Sequence, residues 1–190
     1  NRDVRVLSEN DELQNKIWQQ TRVIEYLNEL PIIQLMYPEI EADDLVSFVC
    51  NLPSLKDSQK VIVSSDKDYI QILDKNVVLL RPIQDEVLNV KRVLDEYNIH
   101  PTNFALARAI AGDKSDNLDG VGGVGLDTVA KRFPFLAESK SYAIDDVLDY
   151  ARENGGKIKA YQNVINNAQL VRDNYRIMQL YSPQISIQTK

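Results

Sequence analysis

Cysteine and histidine are nearly absent from this chain, with one of each in 190 residues, and cations are outnumbered by anions. A lone thiol, Cys50, cannot close an internal disulfide, which points to a reducing compartment. It falls within an apolar helical pattern, where packing is the plain reading, and no base adjoins it in sequence to make it a nucleophile. One histidine and one thiol leave a nitrogen and sulfur zinc site without its ligands. His100 precedes Pro101 and reads as a turn residue rather than a base. No apolar run approaches the roughly 18 residues of a membrane span and no charged-then-apolar leader opens the chain, so a soluble, intracellular protein with no membrane contact is expected. The 22 basic and 28 acidic residues give a formal charge of −6, which excludes indiscriminate attraction to nucleic acid or anionic lipid. Any DNA contact has to be local and cation-assisted. The first residue is Asn1 and the first methionine is Met36, and the expectation is that a segment is missing upstream.

What is present is enough for a core: 44% of residues are hydrophobic, in a length that suits one domain or a core with a small subdomain. Asn10 or Asp11 can cap a helix from Glu12 to Leu30, with Leu13, Ile17, Val23, Ile24 and Leu27 at largely helical spacing and Trp18 packed on that stripe. Then come an apolar stretch from Ile32 to Tyr37, a helix from Ala42 to Asn51, a run Val61-Ile62-Val63, a short helix near Tyr69 to Leu73, and Val77 to Leu80. That order reads β, α, β, α, β and predicts a parallel sheet with right-handed crossovers, whose ligands sit at the carboxyl ends of the strands. After Pro82 the pattern is helical: Val90 to Tyr97 behind Asn89, Thr102 or Asn103 to Ala111, Leu126 to Phe133, Ile144 to Glu153, Ile158 to Leu170 and Asp173 to Leu180. Gly155-Gly156 marks a turn and Pro183 a late stop. No internal repeat or long linker interrupts it, so sheet and helices are expected to pack as one unit.

Three close-spaced acidic sets carry the functional signal: Glu41 with Asp43, Asp66 with Asp68, and Asp113 with Asp116. Singly, each has a structural explanation. Glu41, Asp43 and Asp44 favour a helix N-terminus by about 0.3 to 1 kcal/mol, Asp66 can cap the helix after its strand, and Gly112 to Asn117 has ordinary turn chemistry. Jointly they are harder to explain so, because clustered carboxylates repel one another unless a cation sits among them. Two sets follow predicted parallel strands, the third lies in a loop before a glycine run, and all three can converge on one edge. All-oxygen ligands suit magnesium. Two such ions roughly 3.5 to 4 Å apart can drive an in-line phosphodiester displacement.

The run Gly120-Val121-Gly122-Gly123-Val124-Gly125 fits the dinucleotide fingerprint G-x-G-x-x-G, but the context fails, since polar Lys114 to Asp119 precedes it and helices flank it. A hairpin between two helices fits better, with Gly120, Gly122, Gly123 and Gly125 letting backbone N–H groups approach a DNA phosphate. Such contact reads backbone rather than base sequence. The helix from Leu126 adds its positive end, and Lys131 and Arg132 add charge. A plain tight turn is the structural alternative.

Glu41-Ala42-Asp43-Asp44, Ser65-Asp66-Lys67-Asp68 and Gly112-Asp113-Lys114-Ser115-Asp116-Asn117, with the glycine run after them, resemble the 5′ nuclease or flap endonuclease family in order and interval. The likeness runs from about Asn1 to Ser182 and is close to the 5′ nuclease domain of bacterial DNA polymerase I and to bacteriophage 5′ exonucleases. It implies a PIN-like α/β core at 1–82, with an arch remnant at 1–11. It also implies a helical subdomain at 83–190 with a helix-hairpin-helix, or helix-three-turn-helix, element at about 103–133. The implied activity is removal of 5′ flaps or RNA primers from branched DNA in replication and repair, by a cytoplasmic monomer of a bacterial or phage-infected cell working beside replication proteins.

By the same resemblance Asp43 and Asp66, with Glu41 beside them, ligate a first magnesium or manganese ion. Asp68, Asp113 and Asp116 serve a second, and Asp44 acts indirectly. The catalytic set is then Asp43, Asp66, Asp68 and Asp116. A potassium ion is implied in the hairpin, on the carbonyls of Ile110, Ala111, Asp119, Val121 and Val124. The family carries two further aspartates and a lysine near the arch base that have no counterpart here. Arg2 and Arg5 are read either as DNA contacts or as solvated charge. A non-catalytic branched-DNA-binding module is the rival class, with a nucleotide-cofactor enzyme a third.

Overall fold

The computed structural model describes residues 9–180; segment 1–8, with Arg2 and Arg5, and segment 181–190, with Pro183, lie outside the described residues. The chain divides into two compact units, 1–39 and 40–190.

In the first unit, α1 spans Glu9–Asn28. Of its expected apolar stripe, Leu13, Ile17, Val23 and Ile24 are 47% to 54% exposed and Leu27 is half-buried. Trp18 is 59% exposed, and the Arg22 guanidinium lies 5.7 Å from its ring centroid. The stretch Ile32 to Tyr37, read as a strand from its apolar content, is irregular. An extended segment becomes a strand only by ladder bonding, and no strand pairs with it among the described residues.

In the second unit, α2 (Ala42–Cys50) precedes β1 (Lys60–Val63), a 3-10 helix over Lys67–Ile72, β2 (Val77–Arg81) and β3 (Glu86–Leu88). β1 and β2 pair in parallel, with Ile62 opposite Leu79, as the alternation of strand and helix requires. β3 returns antiparallel to β2, with Leu79 opposite Leu88. It was hidden in the sequence because it is three residues long and sits behind Pro82, and its turn uses Asp85 at φ 50°. One sheet face buries Ile62, Leu79 and Leu88, while Val61, Val63 and Val87 on the other are exposed.

Six helices follow: α3 (Val90–Tyr97), α4 (Phe104–Ala111), α5 (Leu126–Arg132), α6 (Ile144–Asn154), α7 (Lys159–Asn166) and α8 (Ala168–Met178). Asn89 caps α3 as expected, its side chain accepting from Arg92 N at 2.9 Å. The break between the last two helices falls at Asn167, earlier than the expected gap after Leu170. There the backbone leaves helical geometry at ψ 25° and the side chain donates to Asn163 O. α4 is buried from Phe104 to Ile110, so it forms the axis of this layer, packed on by α5 and α8. Phe104, Leu106, Ile110, Val129, Phe133 and Leu148 fill the core around it.

Asn103 does not cap α4 with its side chain. It is buried, donates to the carbonyls of Leu136, Glu138 and Lys140, and accepts from Tyr142 N, tying α4 to the loop before α6.

Candidate metal centre

Two loops and one buried helix build the site. After β1 the chain turns at Ser64, whose hydroxyl accepts from Asp66 N at 3.1 Å, and Asp66 then accepts from Asp68 N at 2.9 Å. This is the N-cap arrangement, and it aims Asp68 from the first turn of the 3-10 helix into the molecule, its side chain 16% exposed. After α4, Asp113 and Leu118 exchange both backbone hydrogen bonds at 2.8 Å, closing a small loop that turns through Asn117 at φ 56°. Asp113 Oδ1 accepts from Ser115 N at 2.7 Å and from the Ser115 hydroxyl. Asp68, Asp113 and Asp116 thereby each bring one carboxylate oxygen within 4.8 Å of the other two.

Arg108, in the middle of α4, lies among them. It is 6% exposed, its guanidinium pairs with Asp68 Oδ1 and Asp113 Oδ2, and its Nη2 is 4.0 Å from Asp116 Oδ2. Asp68 Oδ1 is itself buried, accepts no aligned hydrogen bond, and meets the guanidinium as an ion pair. Burial pulls the Arg108 pKa down, opposed by the charges of Asp116 and Asp66. Sequence reasoning passed over Arg108. The available signal was one cation in the otherwise apolar Phe104–Ala111, five residues before Asp113. A cavity of about 400 Å³, with Asp66, Lys67, Arg108, Asp113 and Asp116 in its wall, opens beside the cluster.

Glu41, Asp43 and Asp66 do not join this ligand-distance group among the described residues. Glu41 is exposed at the start of α2 and makes no side-chain cap. Asp43 accepts from Asp44 N at 2.9 Å. Asp43 and Asp66 share a neighbourhood, since both charges, after burial, push the Tyr69 hydroxyl above its ordinary pKa. Asp44 is half-buried on α2.

Cys50 is half-buried, and burial raises its thiol pKa, which opposes nucleophilic use. His100 accepts from Thr102 N through Nδ1 at 3.2 Å and caps the turn Pro101–Asn103, with burial lowering its pKa.

The glycine run connects α4 to α5. Gly112 sits at φ 79°, and a Cβ there would lie 2.3 Å from Gly120 N. A Cβ on Gly120 would lie 2.0 Å from Ala111 O. These two glycines therefore let the end of α4 touch the hairpin backbone. Gly122, Gly123 and Gly125 face open space, with nothing within 4 Å of a Cβ. Val121 and Val124, 3% and 2% exposed, anchor the loop, and Val121 N donates to Ile110 O at 2.8 Å.

Asn174, buried on α8, donates to Ala109 O at 3.0 Å and Asp119 O at 2.8 Å, and Asn163 donates to Gly122 O at 2.8 Å. Of the carbonyls singled out for potassium, Ile110, Asp119 and Val121 thus already accept one hydrogen bond each, and each keeps a second lone pair. Lys131 is exposed and Arg132 half-buried on the last turn of α5. Asn174→Ala leaves the buried Ala109 carbonyl and the part-buried Asp119 carbonyl without that donor and is expected to cost about 1 to 3 kcal/mol in urea unfolding; an unchanged midpoint would show that water replaces the amide.

Residues 8–98 match the family model described as 5′-3′ exonuclease, N-terminal resolvase-like domain. The chain is 35% identical over 99 residues to a 5′-3′ exonuclease of Aquifex aeolicus, covering 52% of this chain and 34% of that protein. It is 34% identical over 115 residues to the 5′-3′ exonuclease of Buchnera aphidicola, covering 60% and 40%. DNA polymerase I of Mycobacterium tuberculosis is 30% identical over 158 residues, covering 78% of this chain and 17% of the polymerase. The chain thus spans well under half the length of these relatives.

In fold it is similar to T5 5′-exonuclease solved with bound divalent zinc, at TM-score 0.72 and 20% identity, over 93% of this chain and 63% of that one. A T5 flap endonuclease solved with DNA and metal ions gives TM-score 0.72 at 19% identity, over the same shares. The core is therefore α/β and PIN-like. In sequence and fold the chain is a relative of the 5′-3′ exonucleases and of part of DNA polymerase I.

Proposed function

We propose that the chain is part of a structure-selective, metal-dependent 5′ nuclease that hydrolyses phosphodiester bonds near 5′ ends or flaps of branched DNA or RNA primers. The observation that carries this reading is the convergence of Asp68, Asp113 and Asp116 from two separate loops to within 4.8 Å of one another, beside a cavity whose wall includes Asp113 and Asp116. Three oxygen donors at this spacing fit a hard divalent cation, magnesium or manganese, which keeps waters and takes substrate phosphate as a further ligand. Carboxylates also accept zinc, so the zinc bound by the T5 protein is compatible with the same donor set. When bound, the ion supplies Lewis acidity and an activated water.

The protein's own part is positional. Asp68 and Asp113 hold charge at a depth set by the 3-10 helix cap and the closed loop, and Asp116 stands at the mouth with its side chain 51% exposed. Glu41, Asp43 and Asp66 supply a first-ion site in the two-ion reading. Gly122, Gly123 and Gly125 offer backbone to duplex phosphate, with Lys131 and Arg132 beside them, and a potassium ion on the hairpin carbonyls would offset the charge of −6. The relatives are bacterial and phage proteins, which favours a cytoplasmic enzyme of DNA replication or repair. No described helix is long and apolar enough to cross a membrane.

A labelled 5′-flap duplex, incubated with the chain in magnesium and in EDTA, tests the reading. Release of the flap near its junction in magnesium alone is expected. Flap binding with no cleavage in either buffer would establish the rival branched-DNA-binding module.

A further inference from the structure

Arg108 is an unusual occupant for a metal centre. Its guanidinium stands where the three carboxylates converge, held by Asp68 Oδ1 and Asp113 Oδ2 and 4.0 Å from Asp116 Oδ2. The oxygens it holds are the ones a metal needs. Asp113 Oδ1 already accepts two hydrogen bonds from Ser115, which uses both its lone pairs, so Oδ2 is the Asp113 oxygen left for an ion. Asp68 Oδ1 is buried and has the guanidinium as its partner.

A cluster of three carboxylates, two of them only 16% exposed, would be self-repelling with no cation among them. Arg108, 6% exposed in the otherwise apolar core helix, relieves that repulsion from inside the fold rather than from solution. A dication arriving on the same oxygens adds a repelling charge and competes for the lone pairs the guanidinium uses. The wall of the neighbouring cavity, which includes Arg108, offers the side chain a place to turn, toward the space a substrate phosphate would enter.

We propose that Arg108 is the resident counter-cation of this site, exchanging with the divalent ion: it holds Asp68 and Asp113 together in the metal-free protein and gives up Asp113 Oδ2 when metal binds. Arg108 is then a positioning residue that tunes metal affinity and preserves the cluster between loadings. The inference rests on the metal-site reading above, and it predicts the opposite sign from a fixed supporting role. An arginine that merely orients the ligands would, when removed, weaken metal binding by about 10- to 100-fold. A competing arginine, when removed, strengthens it.

The test is calorimetric addition of Mn²⁺ to the wild type, Arg108→Gln and Arg108→Lys. Expected is binding tighter by on the order of tenfold in Arg108→Gln, with Arg108→Lys between it and the wild type. The variant's melting temperature should be lower without metal and rise further on adding it. Equal or weaker Mn²⁺ binding by Arg108→Gln, with the wild type still binding, would overturn the exchange while leaving the metal site standing. Binding by neither protein would overturn both. Should Arg108→Gln fail to fold, hydrogen exchange of the wild-type Arg108 Nε–H decides. Faster exchange in saturating Mg²⁺ supports displacement, and unchanged protection refutes it.

Discussion

Gly112→Ala is expected to cost the fold about 3 kcal/mol, because two penalties fall on one methyl group. The backbone at φ 79° is one that L side chains rarely adopt, and the new Cβ would sit 2.3 Å from Gly120 N and 2.8 Å from Leu118 O. Neither neighbour is a flexible side chain, so relief requires the end of α4 and the hairpin to separate. That separation would also break Val121 N to Ile110 O and shift the loop bearing Asp113 and Asp116. Gly120→Ala meets the same contact from the other side, at 2.0 Å from Ala111 O. Gly122→Ala is the contrast, since its Cβ points into open space. It should leave urea unfolding unchanged while weakening flap-duplex binding. Equal stability losses at Gly120 and Gly122 would mean that the close approach of α4 to the hairpin is misdrawn.

Asp116→Ala should separate function from stability just as cleanly. Asp116 is 51% exposed in its side chain, and its ion-pair contact with Arg108 is a distant 4.0 Å, so the folded state loses little and the melting temperature should hold. Removing one of three metal ligands, in contrast, should lower cleavage by roughly a hundredfold or more, the rate equivalent of about 3 kcal/mol. Asp68→Ala makes the useful comparison. It also strips the buried Arg108 of a partner and should add a stability loss of about 3 kcal/mol in the metal-free protein. Unchanged cleavage in Asp116→Ala would remove that residue from the site.

The sequence announced the three acidic sets because their spacing survives projection onto one dimension: a carboxylate just past a strand, or in a turn three residues from another, stays recognisable without coordinates. Helix caps were legible for the same reason, as at Asn89. What failed to show was whatever depends on a distant partner. Ile32 to Tyr37 has strand composition but no ladder, and β3 has a ladder but too few residues to display a period. The contact of Trp18 with Arg22, one turn on, was likewise not foreseen.

The same limit applies within the site. Convergence of Asp68 with Asp113 and Asp116 could be anticipated from strand ends, but the filling of that convergence by Arg108 could not. Its position in sequence looks like a stray cation on an apolar helix, and only packing of α4 against both loops gives it a role. Asn174 and Asn163, which hold hairpin carbonyls from α7 and α8, were silent in sequence because an asparagine inside a helix has many ordinary explanations.

The central claim is that the Asp68, Asp113 and Asp116 cluster is a divalent-cation site, and calorimetric addition of Mn²⁺ to the wild type and to Asp116→Ala tests it most directly. Saturable binding by the wild type that is weakened by tenfold or more in Asp116→Ala is the predicted result. Identical isotherms for the two proteins, or no binding by either, would contradict it.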